Sequence, residues 1–171
     1  MKPLILIGPP GSGKTTVGKA LARKLQCDFV DTDDVIELRV GKPISQIFVD
    51  EGEPWFRKVE FEVLGHEVSI LNGVLSLGGG APLSEGAQKL LKDKTEHDIA
   101  SVIYLNISLA TAAPRVGFNR DRPLLLNNPR AAWQELMDKR RPIYESLASH
   151  IVSVDERAPK DIVDEIVRLT Q

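Results

Sequence analysis

In Gly8-Pro9-Pro10-Gly11-Ser12-Gly13-Lys14-Thr15, glycines, a lysine and a hydroxyl stand at the spacing G-x-x-x-x-G-K-[ST]. That spacing serves anion binding. Glycines let consecutive backbone N–H groups turn inward on phosphate oxygens. A helix that starts at the end of such a loop adds unpaired N–H groups and the positive end of its dipole. Lys14 brings a point charge to the outer phosphates, and the Thr15 hydroxyl can ligate a magnesium ion. The stretch implies a nucleoside triphosphate and leaves open what receives its phosphoryl group.

Two carboxylates, Asp31 and Asp33, follow in Asp31-Thr32-Asp33. Side chains alternate along a strand, so a spacing of two lets both face the phosphate loop. One would then hold the magnesium shell while the other hydrogen-bonds a hydroxyl acceptor and orients it. Helix capping by Asp33 and Asp34 is the competing reading. The run Val74-Leu75-Ser76-Leu77 ends in Gly78-Gly79-Gly80, with no Walker-B aspartate. Three glycines allow a ligand to approach the backbone closely and accept its N–H groups. Arg57 and Arg140 could clamp a carboxylate or phosphate, or could simply be solvated helix residues. Arg115, Arg120 and Arg122 surround a Gly/Asn/Asp-rich stretch that reads as a mobile loop over 116–128. Closing such a loop would bring a guanidinium to the transferred phosphoryl. His66, His97 and His150 lack metal-ligand spacing, and Trp55 and Trp133 fall at helical spacing as core residues would.

These residues need elements to hold them. Leu4-Ile5-Leu6-Ile7 is a continuous apolar run, as expected of a strand buried on both faces, and Val17, Ala20, Leu21 and Leu25 after the loop mark a helix. Further strands are expected at Asp28–Asp31, Val74–Leu77, Ser101–Ile107 and His150–Val154. Helices alternate with them, among them one that Pro54 opens and one that Pro129 opens, the latter with Pro142 inside as an expected kink. Strict alternation predicts an α/β domain with a parallel sheet and helices on both faces. Ligands of such sheets bind beyond the carboxyl ends of the strands, where the phosphate loop, Asp31, Asp33 and the glycine triplet all fall.

The 171 residues suit a single domain over 1–171, with 33–70 read as a substrate-binding insertion and 116–128 as a lid. A net charge of −2 implies no general attraction to nucleic acid or anionic membrane. No apolar run is long enough to span a bilayer, and Met1-Lys2-Pro3 leads directly into the first strand without a signal peptide, so a cytoplasmic monomer is expected. Cys27, the single cysteine, fits a reducing compartment and a packing role.

Taken together, Gly8 to Thr16, Asp31-Thr32-Asp33, Gly52-Glu53 with Phe56-Arg57 and Glu60, Gly78-Gly79-Gly80, Arg122-Pro123-Leu124-Leu125 and Lys139-Arg140 with Pro142 and Tyr144 resemble the shikimate kinase family, in order and over essentially the whole chain. The resemblance implies a three-layer P-loop kinase fold with a five-stranded parallel sheet in the order 2-3-1-4-5. It implies transfer of the γ-phosphoryl group of ATP to the 3-hydroxyl of shikimate, with Mg2+, in chorismate and aromatic amino-acid biosynthesis. By position, Gly11, Ser12, Gly13, Lys14, Thr15 and Thr16 would bind the ATP phosphates, and Arg115 and Arg157 would flank the adenine. Thr15 and Asp31 would hold the metal, Asp31 through water. Asp33 would bind the ring hydroxyls and serve as base, while Arg57 and Arg140, with backbone at Gly79 and Gly80, would hold the carboxylate. Lys14, Asp33 and Arg122, the lid arginine, would be the catalytic residues. The chain departs from the family at Pro9-Pro10 and in the lid at Phe118 and Arg120. A kinase of another polyol acid such as gluconate, or a nucleotide-dependent switch, would share the phosphate loop. An ADP-release assay on shikimate and gluconate separates the two kinases, and intact Lys14, Thr15, Asp31 and Asp33 argue against the switch.

Overall fold

The computed structural model describes residues 2–117 and 128–171. Its elements are β1 (Leu4–Ile7), α1 (Lys14–Leu25), β2 (Asp28–Asp31), α2 (Thr32–Val40), α3 (Ile44–Glu51), α4 (Glu53–Ile70), β3 (Gly73–Ser76), α5 (Glu85–Glu96), β4 (Ser101–Asn106), α6 (Leu109–Gly117), α7 (Pro129–Leu147), β5 (His150–Ser153) and α8 (Pro159–Thr170). A 3-10 turn over Ala81–Leu83 follows the glycine triplet. The five strands form one sheet in the order β2-β3-β1-β4-β5, and every neighbouring pair is parallel. Each crossover therefore carries helix, as parallel pairing demands.

β1 shows why the sheet has this form. All four of its residues are buried although successive side chains point to opposite faces, so both faces of the sheet are covered there. Leu4 pairs in register with Val74 on one side and Ser101 on the other. The main core gathers residues of β1, β3 and β4 with α1, α5, α7 and α8. A second, smaller cluster holds Ile36, Ile47, Phe56, Val59 and Val63 from α2, α3 and α4, with the Phe48 and Phe56 rings 4.5 Å apart. α4 belongs to both: Phe56, Val59 and Val63 sit in the small cluster, Leu64 and Val68 in the main one.

Two expectations need correcting. Trp55 is 38% exposed rather than core, whereas Trp133 is 1% exposed. Trp55 lies one position from Phe56, and on a helix that rotation turns it out of the stripe that faces the small cluster. α2 starts at Thr32, capped by Asp31 and not by Asp33 or Asp34, because the Asp31 carboxylate already accepts the Asp33 N–H. α7 runs from Pro129 to Leu147 with Pro142 inside it. α6 extends to Gly117, and Phe118, Arg120 and Arg122 of the expected lid lie outside the described residues.

No helix among the described residues is long and apolar enough to cross a membrane.

Candidate active site

The phosphate loop joins β1 to α1 at the carboxyl edge of the sheet. Gly13 caps α1 at φ 85°, left-handed backbone that favours glycine. Lys14 is the first residue of α1, and its ammonium donates to the carbonyls of Gly8 at 2.8 Å and Pro9 at 3.0 Å. The charge is thus curled over the loop it belongs to. The Ser12 hydroxyl is buried and finds no hydrogen-bond partner among the described residues.

Asp31 is the hinge between the two halves of the site. It ends β2, opposite Ser76 of β3, the strand in which no aspartate stands. Its Oδ2 accepts from the Thr15 hydroxyl at 2.8 Å, and its Oδ1 accepts the Asp33 N–H at 3.1 Å. It is only 8% exposed. The two carboxylates therefore do not share a strand face, as alternation suggested. Asp31 closes the strand and Asp33 stands in the first turn of α2. Both still line one cavity of about 430 Å³ with Gly11 to Thr16, Gly78 and Gly79. Arg115 and Arg157 border the same cavity. Arg115 donates to the Gly11 carbonyl at 3.2 Å. Arg157 is held by the carbonyls of Ser153 and Asp161, each at 3.0 Å, and by Glu165 at 2.5 Å.

The glycine triplet is fixed by groups from distant elements. The Gly78 N–H donates to the Thr32 hydroxyl at 3.0 Å, and the Gly78 carbonyl accepts from the Ala81 N–H at 3.0 Å. The Gly79 carbonyl accepts from the Tyr144 hydroxyl at 2.6 Å, and the Gly80 carbonyl from the Leu83 N–H at 3.1 Å. Accounting for every backbone group of the triplet leaves the N–H groups of Gly79 and Gly80 without a partner among the described residues. Two guanidinium groups crowd this pair. A Cβ on Gly80 would overlap that of Arg57, and one on Gly79 would lie 3.4 Å from Arg140 Nη1. Two unpartnered N–H donors and two cations at one spot could hold a carboxylate.

Arg57 is aimed by carboxylates on its own helix. It contacts Glu60 at 2.7 Å and Glu53 at 3.2 Å. Burial opposes its charge, but those carboxylates outweigh burial and hold its pKa above the ordinary value. Burial pushes the Glu60 carboxyl upward in spite of Arg57, and the nearby charge of Asp33 adds to the rise. A Cβ on Gly78 would lie 3.1 Å from Glu60 Oε1 and closer still to Asp33 Oδ1, so Asp33, Glu60, Arg57 and Arg140 surround the triplet.

Of the residues singled out in the sequence, the structure thus unites Gly11 to Thr16, Asp31, Asp33, Gly79, Arg115 and Arg157 around one cavity, with Arg57, Gly80 and Arg140 at the triplet beside it. Arg122 lies outside the described residues. Sequence reasoning gave no role to Glu60, Thr32 or Tyr144. Glu60 could have been found from its i+3 spacing to Arg57. The partners of Thr32 and Tyr144 are 46 and 65 residues away, and no local signal announces them.

A family model described as shikimate kinase matches residues 10–171. A shikimate kinase of Salinispora arenicola is 47% identical over 165 residues, covering 96% of this chain and 95% of its own. One of Thermobifida fusca is 46% identical over 166 residues, covering 96% of this chain and 92% of its own. Among solved structures, the shikimate kinase of Acinetobacter baumannii in complex with shikimate is similar with a TM-score of 0.92 and 34% identity, covering 99% of this chain and 92% of that one.

Proposed function

The chain belongs to the shikimate kinase family, and from that premise we infer how its residues carry the γ-phosphoryl group of ATP to the 3-hydroxyl of shikimate. The product is shikimate 3-phosphate, on the route to chorismate and the aromatic amino acids. The observation that carries the assignment is the meeting of Asp33, Arg57 and Arg140 around Gly78–Gly80, beside the phosphate loop. Shikimate has a carboxylate at one end and hydroxyls at the other. A pair of arginines with the Gly79 and Gly80 N–H groups would take the first end, and Asp33 the second.

On the donor side, Gly11, Ser12, Gly13, Lys14, Thr15 and Thr16 bind the phosphates. The buried, unpartnered Ser12 hydroxyl supports this reading. Arg115 and Arg157 flank the adenine. The Thr15 hydroxyl and the Asp31 carboxylate offer adjacent hard oxygens of the kind Mg2+ prefers, and such ions commonly take one or two carboxylates with substrate phosphates. Thr15 would hold the ion directly and Asp31 through water; the bound ion would neutralise phosphate charge. In the transfer itself, the 3-hydroxyl oxygen forms a bond to Pγ while the bond from Pγ to the ADP oxygen breaks. The hydroxyl proton passes to Asp33. Lys14 and Arg122 stabilise charge on the transferred group, and positioning supplies most of the remaining rate. Segment 33–70, with its own small core, serves as the substrate-binding insertion, and 116–128 as the lid. The enzyme works as a cytoplasmic monomer.

A coupled ADP-release assay with shikimate and gluconate side by side tests the assignment. Turnover on shikimate is expected, and its absence would overturn the reading. Two substitutions test the carboxylate end. Arg57→Ala should raise KM for shikimate about 10- to 100-fold, the worth of one charge-assisted contact, and leave KM for ATP nearly unchanged. Loss of ATP affinity instead would put Arg57 on the wrong side of the site. Gly80 has an ordinary backbone conformation, φ −91° and ψ −15°, and the nearest atoms an added Cβ would meet are those of the Arg57 head, so Gly80→Ala bears first on that group. The variant should melt within a few degrees of the parent and yet raise KM for shikimate. A normal KM would show that Arg57 has another productive position.

A further inference from the structure

Tyr144 is fully buried on α7, its ring centroid 5.2 Å from that of Tyr104, and its hydroxyl is the one group of α7 that reaches the glycine triplet's backbone through a hydrogen bond among the described residues. The hydroxyl donates to the Gly79 carbonyl at 2.6 Å. No peptide bond among the described residues is cis, so the Gly79 C=O and the Gly80 N–H, which belong to one peptide, point in opposite directions. Drawing the carbonyl toward α7 therefore turns the Gly80 N–H away from α7. Glycine has the widest choice of backbone angles of any residue, so the orientation of this peptide depends on what holds its carbonyl. The guanidinium of Arg140, one turn earlier on α7, lies near the same hydroxyl, and its Nη1 is 3.4 Å from where a Cβ on Gly79 would stand. The phenol thus holds the peptide that lies against Arg140.

We propose that Tyr144 is a positioning residue for acceptor recognition: its hydroxyl orients the Gly79–Gly80 peptide so that the Gly80 N–H faces the substrate carboxylate beside Arg57 and Arg140. The inference rests on the acceptor site described under Proposed function. Tyr144 touches neither substrate. It acts on the carboxylate end alone, so its contribution is selective: it strengthens binding of a charged acceptor and leaves a neutral one unaffected.

The test is Tyr144→Phe, which keeps the buried ring and removes the hydroxyl. KM for shikimate should rise about tenfold, as expected when a hydrogen bond that orients charged recognition is lost, with kcat and KM for ATP little changed. The decisive readout is the preference for shikimate over its neutral analogue with the carboxylate reduced to hydroxymethyl, taken as the ratio of the two kcat/KM values. That ratio should fall about tenfold in Tyr144→Phe, and 4-aminophenylalanine at position 144, which restores a donor, should recover it. A merely structural role would slow both acceptors equally, and that outcome would overturn the proposal, as would an unchanged ratio. Arg57→Ala run in parallel separates the two levels. If it lowers the ratio and Tyr144→Phe does not, the positioning role is wrong. If neither does, the carboxylate site itself is wrong.

Discussion

Lys14→Ala is expected to lose phosphoryl transfer by roughly a thousandfold or more, the scale on which a single charge aimed at a transferring phosphoryl group counts. The ammonium stands at the N-terminus of α1, curled over the Gly8 and Pro9 carbonyls, so a small rotation of the side chain brings it to the outer phosphates without rebuilding the loop. The backbone of the loop depends on its glycines and on β1, and the truncation should leave it intact. The melting temperature should therefore move by no more than a few degrees while kcat collapses. Single-turnover kinetics with saturating ATP and shikimate isolate the chemical step from binding. A kcat near that of the parent would remove Lys14 from the transfer.

Asp33→Asn should lower kcat by roughly 10² to 10⁴, the usual worth of a positioned general base, with a smaller effect on KM. The amide has the size of the carboxylate and can still accept a hydrogen bond, so orientation of the hydroxyl is largely kept. It cannot take the proton. The first turn of α2 should survive, because its cap comes from Asp31 and uses the Asp33 backbone rather than the side chain. If only KM changed, proton transfer by Asp33 would be refuted and an orienting role would remain. The kcat–KM split thus decides between the two functions of this carboxylate.

The donor half of this site could be read in the sequence because its logic is local. A run of apolar residues, a glycine loop and a helical stripe lie within Leu4 to Leu25, and each constrains its neighbours. The alternation of strands and helices was legible for the same reason: a strand buried on both faces is apolar throughout, as Leu4 to Ile7 is. Sheet order was not local, and it was anticipated through family resemblance. The acceptor half was legible residue by residue but not as a geometry. Nothing in the pattern shows that β2 stops at Asp31 because that side chain turns to cap the next helix, moving Asp33 from strand to helix. Nor does helical periodicity show that Thr32 and Tyr144 clamp opposite ends of one glycine dipeptide. Those contacts are decided by packing between elements far apart in the chain, and Trp55 was misjudged for the same reason: its neighbours, not its type, set its exposure.

The division of α4 between two hydrophobic clusters has a consequence for local stability. The free energy of opening part of a protein depends on the apolar surface that the opening exposes. Detaching Ile36, Ile47, Phe56, Val59 and Val63 from one another exposes far less than parting the helices from the sheet. Arg57 rides on the half of α4 that belongs to the small cluster, whereas Arg140, Tyr144 and the phosphate loop belong to elements of the main one. A fluctuation confined to α2, α3 and the start of α4 would therefore move Arg57, together with Thr32 and Asp33 of α2, while Arg140, Tyr144 and the phosphate loop keep their places. The elements that carry Thr32, Asp33 and Arg57 can thus open at a smaller free-energy cost than the main core, and the phosphate loop need not unfold for them to do so.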